Sequence, residues 1–461
     1  MKRQKWMSMR FAGSCLSTAA LLALAGASAE AKFLTKNLQI CDQGSFFVGG
    51  VPKITKFANS ATAAGPNAQI TVGQMYVQFQ VPVAAKKWPL ILVHGSTHSG
   101  ACVESTPQGT EGWAPYTVRN NLATYVVDQP GRGRSGNDNS RLQEAEATRL
   151  GVPGANATFP NTPTPTGPAI GRISDNGAYT SWFGHLVQPN TASTCTDILT
   201  CELMPHGWRA DDPSPPTVHP NPAGYGPAFA LNATSEFVYP LGLNYTGTGT
   251  WGPAPFGPAS AYKLHYYRQL LPNYEVTLPT STCPSCSPTT LIQANTWSPR
   301  DLATLVEKLG GAIVATHSQS GIQGHDLVRV LKEDGKLDLL KGLITVEGTC
   351  SFANSGTTAA DYDNIPYLAF KGDYSVFSQG CQDVVNALNA RRAAGQGTAK
   401  ADYIQLDDPS YKGKFNGVTH MMMDGTNALE VMDVILNWTN KNISNPPSTG
   451  QCNSPPPPTA S

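Results

Sequence analysis

Short apolar runs separated by helical patterns recur in two parts of this chain. Residues 74–82 alternate between apolar and polar positions, as in a half-exposed strand. Six further runs are short and mainly apolar, and the continuously apolar ones are typical of strands that are buried on both faces of a parallel sheet. These runs are Trp88–Val93, Thr124–Val127, Ala312–Ala315, Leu343–Val346, Tyr367–Phe370 and Tyr403–Leu406.

Apolar positions at helical spacing lie between and after these runs. One helix has a clear start at Ser298-Pro299, with a serine N-cap and a proline in the first turn, and it is expected to end at Gly310. Strands and helices in alternation predict an α/β fold with a doubly wound, mostly parallel sheet. The predicted helices cover residues 262–271, 298–309, 322–331, 384–394 and 428–438.

The core is predicted in two parts, residues 30–140 and residues 293–444. The intervening residues 141–292 are rich in Pro, Gly, Thr and Asn, yet they contain scattered aromatic side chains. Disordered segments are usually poor in aromatics, so the composition favours an inserted cap over a disordered insert. Residues 445–461 form a Pro-rich tail with no means of packing into a core.

The N-terminus has the three parts of a secretory signal peptide. Basic residues precede an apolar stretch, and Ala27-Ser28-Ala29 offers a cleavage site, so residues 1–29 are predicted to be removed. The protein is therefore expected to be secreted or periplasmic, with no stable membrane insertion. The 32 basic and 32 acidic side chains cancel, so no charge excess indicates a nucleic-acid partner.

Cysteines in such an oxidising compartment are expected to be paired. Removal of the signal peptide leaves nine of the ten cysteines. Cys195 and Cys201 are close in sequence, and Cys283 and Cys286 form a C-x-x-C for which a structural disulfide is favoured, because no second pair stands at zinc-site spacing. An odd number leaves one thiol free or bonded to another chain, and Cys452 in the tail is one candidate.

The strongest chemical signal is a strand that leads directly into Ser318, with a helix after it, in GAIVATHSQSGIQG. A sharp strand-to-helix turn of this kind is a nucleophile elbow, usually written G-x-S-x-G because backbones crowd around the serine. Thr316 and Ser320 replace the two glycines here, and Thr316 is the weaker fit. The alternative is an ordinary helix N-cap serine.

A serine nucleophile needs a base and an acid that follow it in the chain. Two histidines follow Ser318. His325 lies two turns along the same helix and is expected to be a surface or packing residue, which leaves His420 as the base. Two carboxylates end apolar strands in the right interval, Glu347 and Asp373, and the residues alone do not choose between them.

Backbone N–H groups must bind the oxyanion that forms during acyl transfer. Gln319 provides one by its position after the serine. The second is expected from Ser96 or Thr97, in the small-residue loop that starts with His94-Gly95 at the end of an apolar strand. The Gly-rich segment at residues 126–135 lacks phosphate-binding spacing and is interpreted as a structural turn.

Taken together, these segments resemble the α/β-hydrolase superfamily, and in detail a branch of secreted bacterial esterases. The resemblance covers most of the core and much less of the insert, and the Gln after the serine and the HMMM after the histidine make it specific. It implies an α/β-hydrolase fold, in which residues 141–292 would be the inserted cap region that their composition favours. It rests on residues 94–100, 112–136, 317–322 (HSQSGI), 345–348 (TVEG) and 419–438.

In that branch the acid follows strand six, which implies that Glu347 has this role and that Cys350 pairs with Cys381. Ser96-Thr97 stands where a relative carries a cysteine pair, so the oxyanion loop is expected to be tuned differently here. The resemblance implies hydrolysis of a small-molecule carboxylic ester by Ser318 and His420, without metal or cofactor. A homodimer is compatible with it.

Two alternatives remain open at this point. The same residues could act on an amide, a lactone or a C–C bond, because the nucleophile and base are shared by all these reactions. The scaffold could also belong to a binding protein without catalysis.

Overall fold

The computed structural model describes two long stretches of the chain and several short ones. The predicted signal peptide, most of the insert and of the tail, Asp373, and the cysteines at 195, 201, 283 and 286 lie outside the described residues. What was predicted for them stays a prediction. The described residues are 33–155 without 86 and 108; 172–173, 178, 182, 186–187, 202–203 and 266–272; 297–446 without 373–377, 379, 413, 416–417 and 426; and 452.

Eight strands form one sheet, and two very short strands pair separately as an antiparallel bridge. The first strand of the sheet was not predicted, because its glycines and exposed apolar residues follow no strict alternation. The other seven were, with shifts of a few residues at their ends. The strands are β1 Ile40–Thr55, β2 Ala68–Pro82, β3 Leu90–Val93, β4 Thr124–Asp128, the short β5 Leu186–Val187 and β6 Glu202–Leu203, β7 Ala312–His317, β8 Leu340–Val346, β9 Tyr367–Lys371 and β10 Ala401–Gln405.

The helices of the second core part lie where the periodicity placed them, with shifts of a few residues at their ends, but Ser298 lies inside its helix, which begins at Trp297, so its prediction as the N-cap was wrong. Of the helix predicted at 262–271, residues 266–272 are described, and only the first two of these are helical. The α-helices are α1 Ala101–Glu104, α2 Trp113–Arg119, α3 Asn139–Arg149, α4 Trp297–Lys308, α5 Ser320–Glu333, α6 Phe352–Ser355, α7 Cys381–Ala393 and α8 Ala428–Asn442; short 3-10 turns cover Gly133–Ser135, Leu337–Leu339, Ala359–Tyr362, Pro409–Tyr411 and Met422–Asp424.

The order of strands in the sheet is β1-β2-β4-β3-β7-β8-β9-β10. The last six of these run parallel to one another, while β1 and β2 form an antiparallel hairpin at one edge and β2 pairs with β4 in the antiparallel direction. Because β3, β7 and β8 lie at the centre, their carboxyl ends meet at one edge of the sheet. That edge is where ligands bind in open α/β sheets.

Apolar residues pack on both faces of the sheet. Along β3, Leu92 belongs to the cluster on one face, while Ile91 and Val93 belong to the cluster on the other. Helix α8 covers the first face through residues such as Val431, and α5 covers the second through residues such as Leu327. Burial on both faces explains why the strands read as continuous apolar runs. No helix among the described residues is long and apolar enough to cross a bilayer.

The described cysteines form two disulfides. Cys350 pairs with Cys381, as the resemblance implied, with Cα atoms 4.8 Å apart. Cys452 pairs with Cys41, at a Cα separation of 5.7 Å, so its assignment as the unpaired cysteine was wrong. Among the described cysteines the free thiol is Cys102, which is buried. A pairing across 411 residues depends on where the two chain ends lie, which no local pattern encodes.

Candidate active site

Ser318 lies on the tight turn that joins β7 to α5. Its φ is +56°, in the left-handed region that non-glycine residues seldom adopt. The backbone N–H of Ser318 donates to the carbonyl of Val346 at 3.0 Å, which ties the turn to the end of β8. The side chain is part-exposed at the carboxyl edge of the sheet. This is the geometry expected of a nucleophile elbow.

The two departures from the usual glycine pattern are accommodated by local contacts. The Ser320 hydroxyl accepts the N–H of His317 at 2.9 Å and can donate to the carbonyl of Val93 at 3.1 Å, so it helps to close the turn. Thr316 fits because Gly324 lies beside it: a Cβ on Gly324 would lie only 3.1 Å from the Thr316 methyl group. The extra methyl of Thr316 thus occupies space that a glycine one turn along α5 leaves open.

His420 and Glu347 are brought together although 73 residues separate them. Nδ1 of His420 lies 2.7 Å from Oε2 of Glu347, and both side chains are fully buried. The other carboxylate oxygen, Oε1, accepts the backbone N–H of Gly372. Both oxygens of Glu347 therefore have a donor, which is the condition under which a carboxylate is tolerated in a protein interior. Asp373, the alternative acid, lies outside the described residues.

The imidazole of His420 is also held through its own backbone. Its N–H donates to the carbonyl of Trp182 at 3.1 Å, and its carbonyl lies 2.9 Å from Nε2 of His317. The rings of His317 and His420 are 4.6 Å apart between centroids, and His317 directly precedes Ser318. The histidine from the end of the chain is therefore packed against the residue next to the elbow.

Backbone strain is concentrated at this edge of the sheet. Among the described residues, six that are not glycine have a positive φ, and three of them are predicted site residues: Thr97, Ser318 and Glu347. Each such residue costs on the order of 1–3 kcal/mol and persists only where the surrounding structure holds it. Strain that gathers in this way is typical of functional sites.

The loop after β3 lies directly against the elbow. A Cβ placed on Gly95 would lie 2.8 Å from Cβ of Ser318, so only glycine permits this approach. Ser96 and Thr97 follow at once, and Thr97 has a φ of +56°. The two residues predicted to supply the second oxyanion N–H are therefore one and two peptide units from the closest contact with Ser318.

Two buried histidines frame this loop. Nδ1 of His94 lies 2.9 Å from the carbonyl of Gly95, and its Nε2 accepts the N–H of Gln129 at 3.0 Å. Nδ1 of His98 lies 2.7 Å from the carbonyl of Ser96, and its Nε2 lies 3.0 Å from the hydroxyl of Tyr266. In both rings, therefore, Nδ1 carries a proton, and in His94 the accepting Nε2 leaves the ring neutral.

The pKa values of the buried histidines at this site also indicate that their rings are neutral near pH 7. Burial, together with the positive charge of Arg132, lowers the pKa of His94 to about 3. Burial lowers the pKa of His98 to about 4, and burial, with His420 beside it, lowers the pKa of His317 well below its usual value. Although several histidines gather here, no three His, Cys, Asp or Glu side chains are grouped as metal ligands in the part of the chain that is described.

Arg132 is a member of this site that sequence reasoning missed. It lies in the Gly-rich turn interpreted as structural, and it is 2% exposed. Its guanidinium donates to the side-chain Oε1 of Gln319 at 2.8 Å and to the carbonyl of Gly95 at 3.1 Å. The available signal was its position, because the turn follows the carboxyl end of the buried strand β4, next to the strand that carries the oxyanion loop.

Two described aromatics from the 141–292 segment also lie here. The ring of Trp182 is 5.2 Å from that of His98 and 6.2 Å from that of His420, and Tyr266 bonds His98. Both side chains are buried. These two residues of the segment thus contribute aromatic surface next to the elbow, while the prediction of a cap stays a prediction.

Comparison with known proteins bears on the fold. No protein-family model matches the sequence, and neither does any curated protein. Among solved structures, a bacterial esterase matches with a TM-score of 0.57 at 24% identity, over 89% of this chain and 98% of that one.

Two further solved structures have TM-scores too low to argue from. A thermostable esterase matches at 16% identity over 38% of this chain and 43% of that one, with a TM-score of 0.24. An esterase of the fungus Rhizomucor miehei matches at 10% identity over 92% and 90%, with a TM-score of 0.27. The first match and the eight-stranded, mostly parallel sheet with helices on both faces establish that this chain has the α/β-hydrolase fold.

Proposed function

We propose that this protein is a secreted serine esterase that hydrolyses carboxylic esters through Ser318, His420 and Glu347. The observation that carries the proposal is the buried contact of 2.7 Å between His420 and Glu347, beside the left-handed turn of Ser318. A buried carboxylate on Nδ1 leaves Nε2 as the proton acceptor. A neutral structural histidine would not need a buried charge as its partner.

The first half of the reaction forms an acyl-enzyme. The Ser318 oxygen attacks the ester carbonyl while Nε2 of His420 takes its proton, and Glu347 stabilises the imidazolium. The carbonyl oxygen becomes an oxyanion, which the N–H groups of Gln319 and of Ser96 or Thr97 bind. His420 then gives the proton to the leaving alcohol.

Water completes the cycle. It attacks the acyl carbonyl, His420 accepts one of its protons, and the proton returns to Ser318 as the carboxylic acid leaves. The neutral state of the neighbouring histidines matters here, because a charged imidazole beside His420 would oppose the formation of its imidazolium. Burial keeps the pKa of His98 at about 4, so His98 carries no such charge near neutral pH.

The decisive test of the proposed nucleophile removes the side-chain oxygen of Ser318. Ser318→Ala should lower kcat for p-nitrophenyl esters by about 10⁵-fold or more and abolish labelling by a fluorophosphonate probe, because both need the serine oxygen. Ser410→Ala, at an exposed serine in a surface turn, is the matched control and should change neither. Wild-type turnover in a folded Ser318→Ala protein would disprove the proposal.

A second measurement addresses the bond that is cleaved. One acyl group is offered to the wild-type protein as an ester and as an anilide, which changes the leaving group and keeps the acyl contacts, and a lactone with the same number of acyl carbons is compared with them. We expect the highest kcat/KM for the ester. A higher value for either of the others would assign the same residues to that bond.

A further inference from the structure

The two sets of backbone donors proposed for the oxyanion come from different parts of the chain. Gln319 begins the turn into α5, while Ser96 and Thr97 belong to the loop after β3. An oxyanion hole works only if its donors keep a fixed separation before the charge develops. Some contact must therefore keep these two segments at a fixed distance from each other.

Arg132 makes that contact. One guanidinium nitrogen donates to Gln319 at 2.8 Å and another donates to the Gly95 carbonyl at 3.1 Å, so one rigid, planar group joins both segments. It is 2% exposed, so its side chain is held by its surroundings. The fork geometry of arginine fixes both direction and distance, which the single ammonium of lysine does not.

The bond to the Gly95 carbonyl also sets the direction of a donor. In a trans peptide the C=O of one residue and the N–H of the next point in opposite directions. No cis peptide bond is present among the described residues. The Gly95 carbonyl is held from one side by Arg132 and by Nδ1–H of His94, so the N–H of Ser96 must project away from them.

The next peptide is held in the same way. Nδ1–H of His98 donates to the Ser96 carbonyl at 2.7 Å, which directs the N–H of Thr97 to the opposite side. The Thr97 carbonyl accepts the N–H of Leu271 at 2.7 Å. Three successive carbonyls of the loop, those of Gly95, Ser96 and Thr97, are therefore occupied by buried or backbone donors, while the loop backbone lies against Ser318.

We propose that Arg132 is the positioning residue of the oxyanion hole: it joins Gln319 to Gly95 and, with His94 and His98, aims the loop N–H groups at the reacting carbonyl. This rests on the proposed esterase function. Arg132 does not touch the substrate. Its effect is expected in the transition state, where the oxyanion exists, and much less in the binding of the neutral ester.

The test variant is Arg132→Met, which keeps the length of the side chain and removes the fork. We expect kcat to fall by about 10- to 100-fold with KM changed by less than about 3-fold, because support of a catalytic group is lost while the binding contacts remain. A trifluoromethyl ketone, which forms a tetrahedral oxyanion adduct on the serine, should bind more weakly by the same factor as kcat/KM falls. Arg132→Lys should lie between Arg132→Met and the wild type.

The control is Arg391→Met. Arg391 forms a two-pronged ion pair with Asp363 near the amino ends of the strands, away from the site. It should alter the thermal midpoint but not kcat. If Arg132→Met fails to fold, Gln319→Met removes the same bridge from its other end and keeps the Gln319 backbone N–H.

The outcomes separate the two proposals. Wild-type protein that neither turns over esters nor reacts with a fluorophosphonate disproves the esterase and, with it, the role of Arg132. An active wild type with a folded Arg132→Met, or Gln319→Met, of unchanged kcat disproves the positioning role alone. A fall in kcat without weaker binding of the ketone also overturns it, because the loss would then not concern the oxyanion.

Discussion

Two histidines follow Ser318 in the chain, and the structure buries both in contrasting surroundings. His420 contacts the carboxylate of Glu347 at 2.7 Å. His325, on α5, has a tyrosine hydroxyl on each ring nitrogen: Tyr362 at 2.5 Å and Tyr367 at 3.3 Å. We call His325, Tyr362 and Tyr367 the tyrosine cluster. Burial alone therefore does not make a histidine a base.

The partner decides what each imidazole can do. A carboxylate stabilises an imidazolium by charge, whereas hydroxyl groups satisfy hydrogen bonds without supplying a charge. In the tyrosine cluster, burial lowers the pKa of His325 to about 4, so the ring stays neutral near pH 7. His325 was expected to be a surface or packing residue, and it is fully buried and packed against aromatic rings.

The largest expected difference between the two regions is in catalysis. His420→Ala should lower kcat by about 10⁵-fold or more, since the serine loses its base. His325→Ala should leave kcat within about 3-fold of wild type and lower stability by a few kcal/mol, because it opens a cavity and leaves buried hydroxyls unpaired. Steady-state kinetics with thermal unfolding separates the two. A collapse of kcat in folded His325→Ala would break the comparison.

The second largest effect on kcat is expected from the carboxylate that contacts His420 and has no counterpart beside His325. Glu347→Gln should lower kcat by roughly 10³- to 10⁴-fold, because the amide cannot stabilise an imidazolium. Asp373→Asn, the other carboxylate considered, should have little effect. Both variants keep the shape of the side chain, so each is the control of the other. A larger loss in Asp373→Asn would transfer the acid role to that residue.

The smallest effect is on the pH dependence of stability. The pKa of His325 is about 4 in the folded protein and near 6.5 when unfolded, so the unfolded chain binds its proton first as the pH falls. The stability associated with this histidine is complete above pH 6.5 and is lost as the pH falls towards 4, at up to about 1.4 kcal/mol per pH unit.

His325→Gln should remove that slope and leave kcat unchanged. Urea unfolding of both proteins between pH 4 and 7 measures the difference. Burial raises the pKa of the neighbouring Asp326 to about 7, which gives a slope of opposite sign, but this contribution is common to both proteins and cancels. Identical slopes would mean that folding does not change the pKa of His325, contrary to its burial in the tyrosine cluster.

Local sequence was sufficient for the elements and for several residues of the site. The central strands β3, β4, β7, β8 and β9 were recognisable as apolar runs because they are almost entirely buried, and β2 was recognisable by its alternation. The elbow was recognisable because strand, serine and helix are contiguous. His420 followed by elimination from the order of residues, and Glu347 only by resemblance.

Other features depend on residues that are distant in the chain. Arg132 was indistinguishable from a turn residue, since its contacts with Gln319 and Gly95 span 187 and 37 positions. The pairing of Cys41 with Cys452 likewise depends on where the two ends of the chain meet. The edge strand β1 was not predicted from the sequence, because a strand with one exposed face accepts many residue types.

The sequence by itself determined where most strands and helices lie and where a strand turns into a helix at Ser318, because burial and tight turns restrict which residues each position accepts. Tertiary structure alone decided which groups surround each of the two buried histidines, and which arginine joins Gln319 to the loop after β3. Charge and hydrogen bonding act over a few ångströms in space, and only folding converts distances along the chain into such distances.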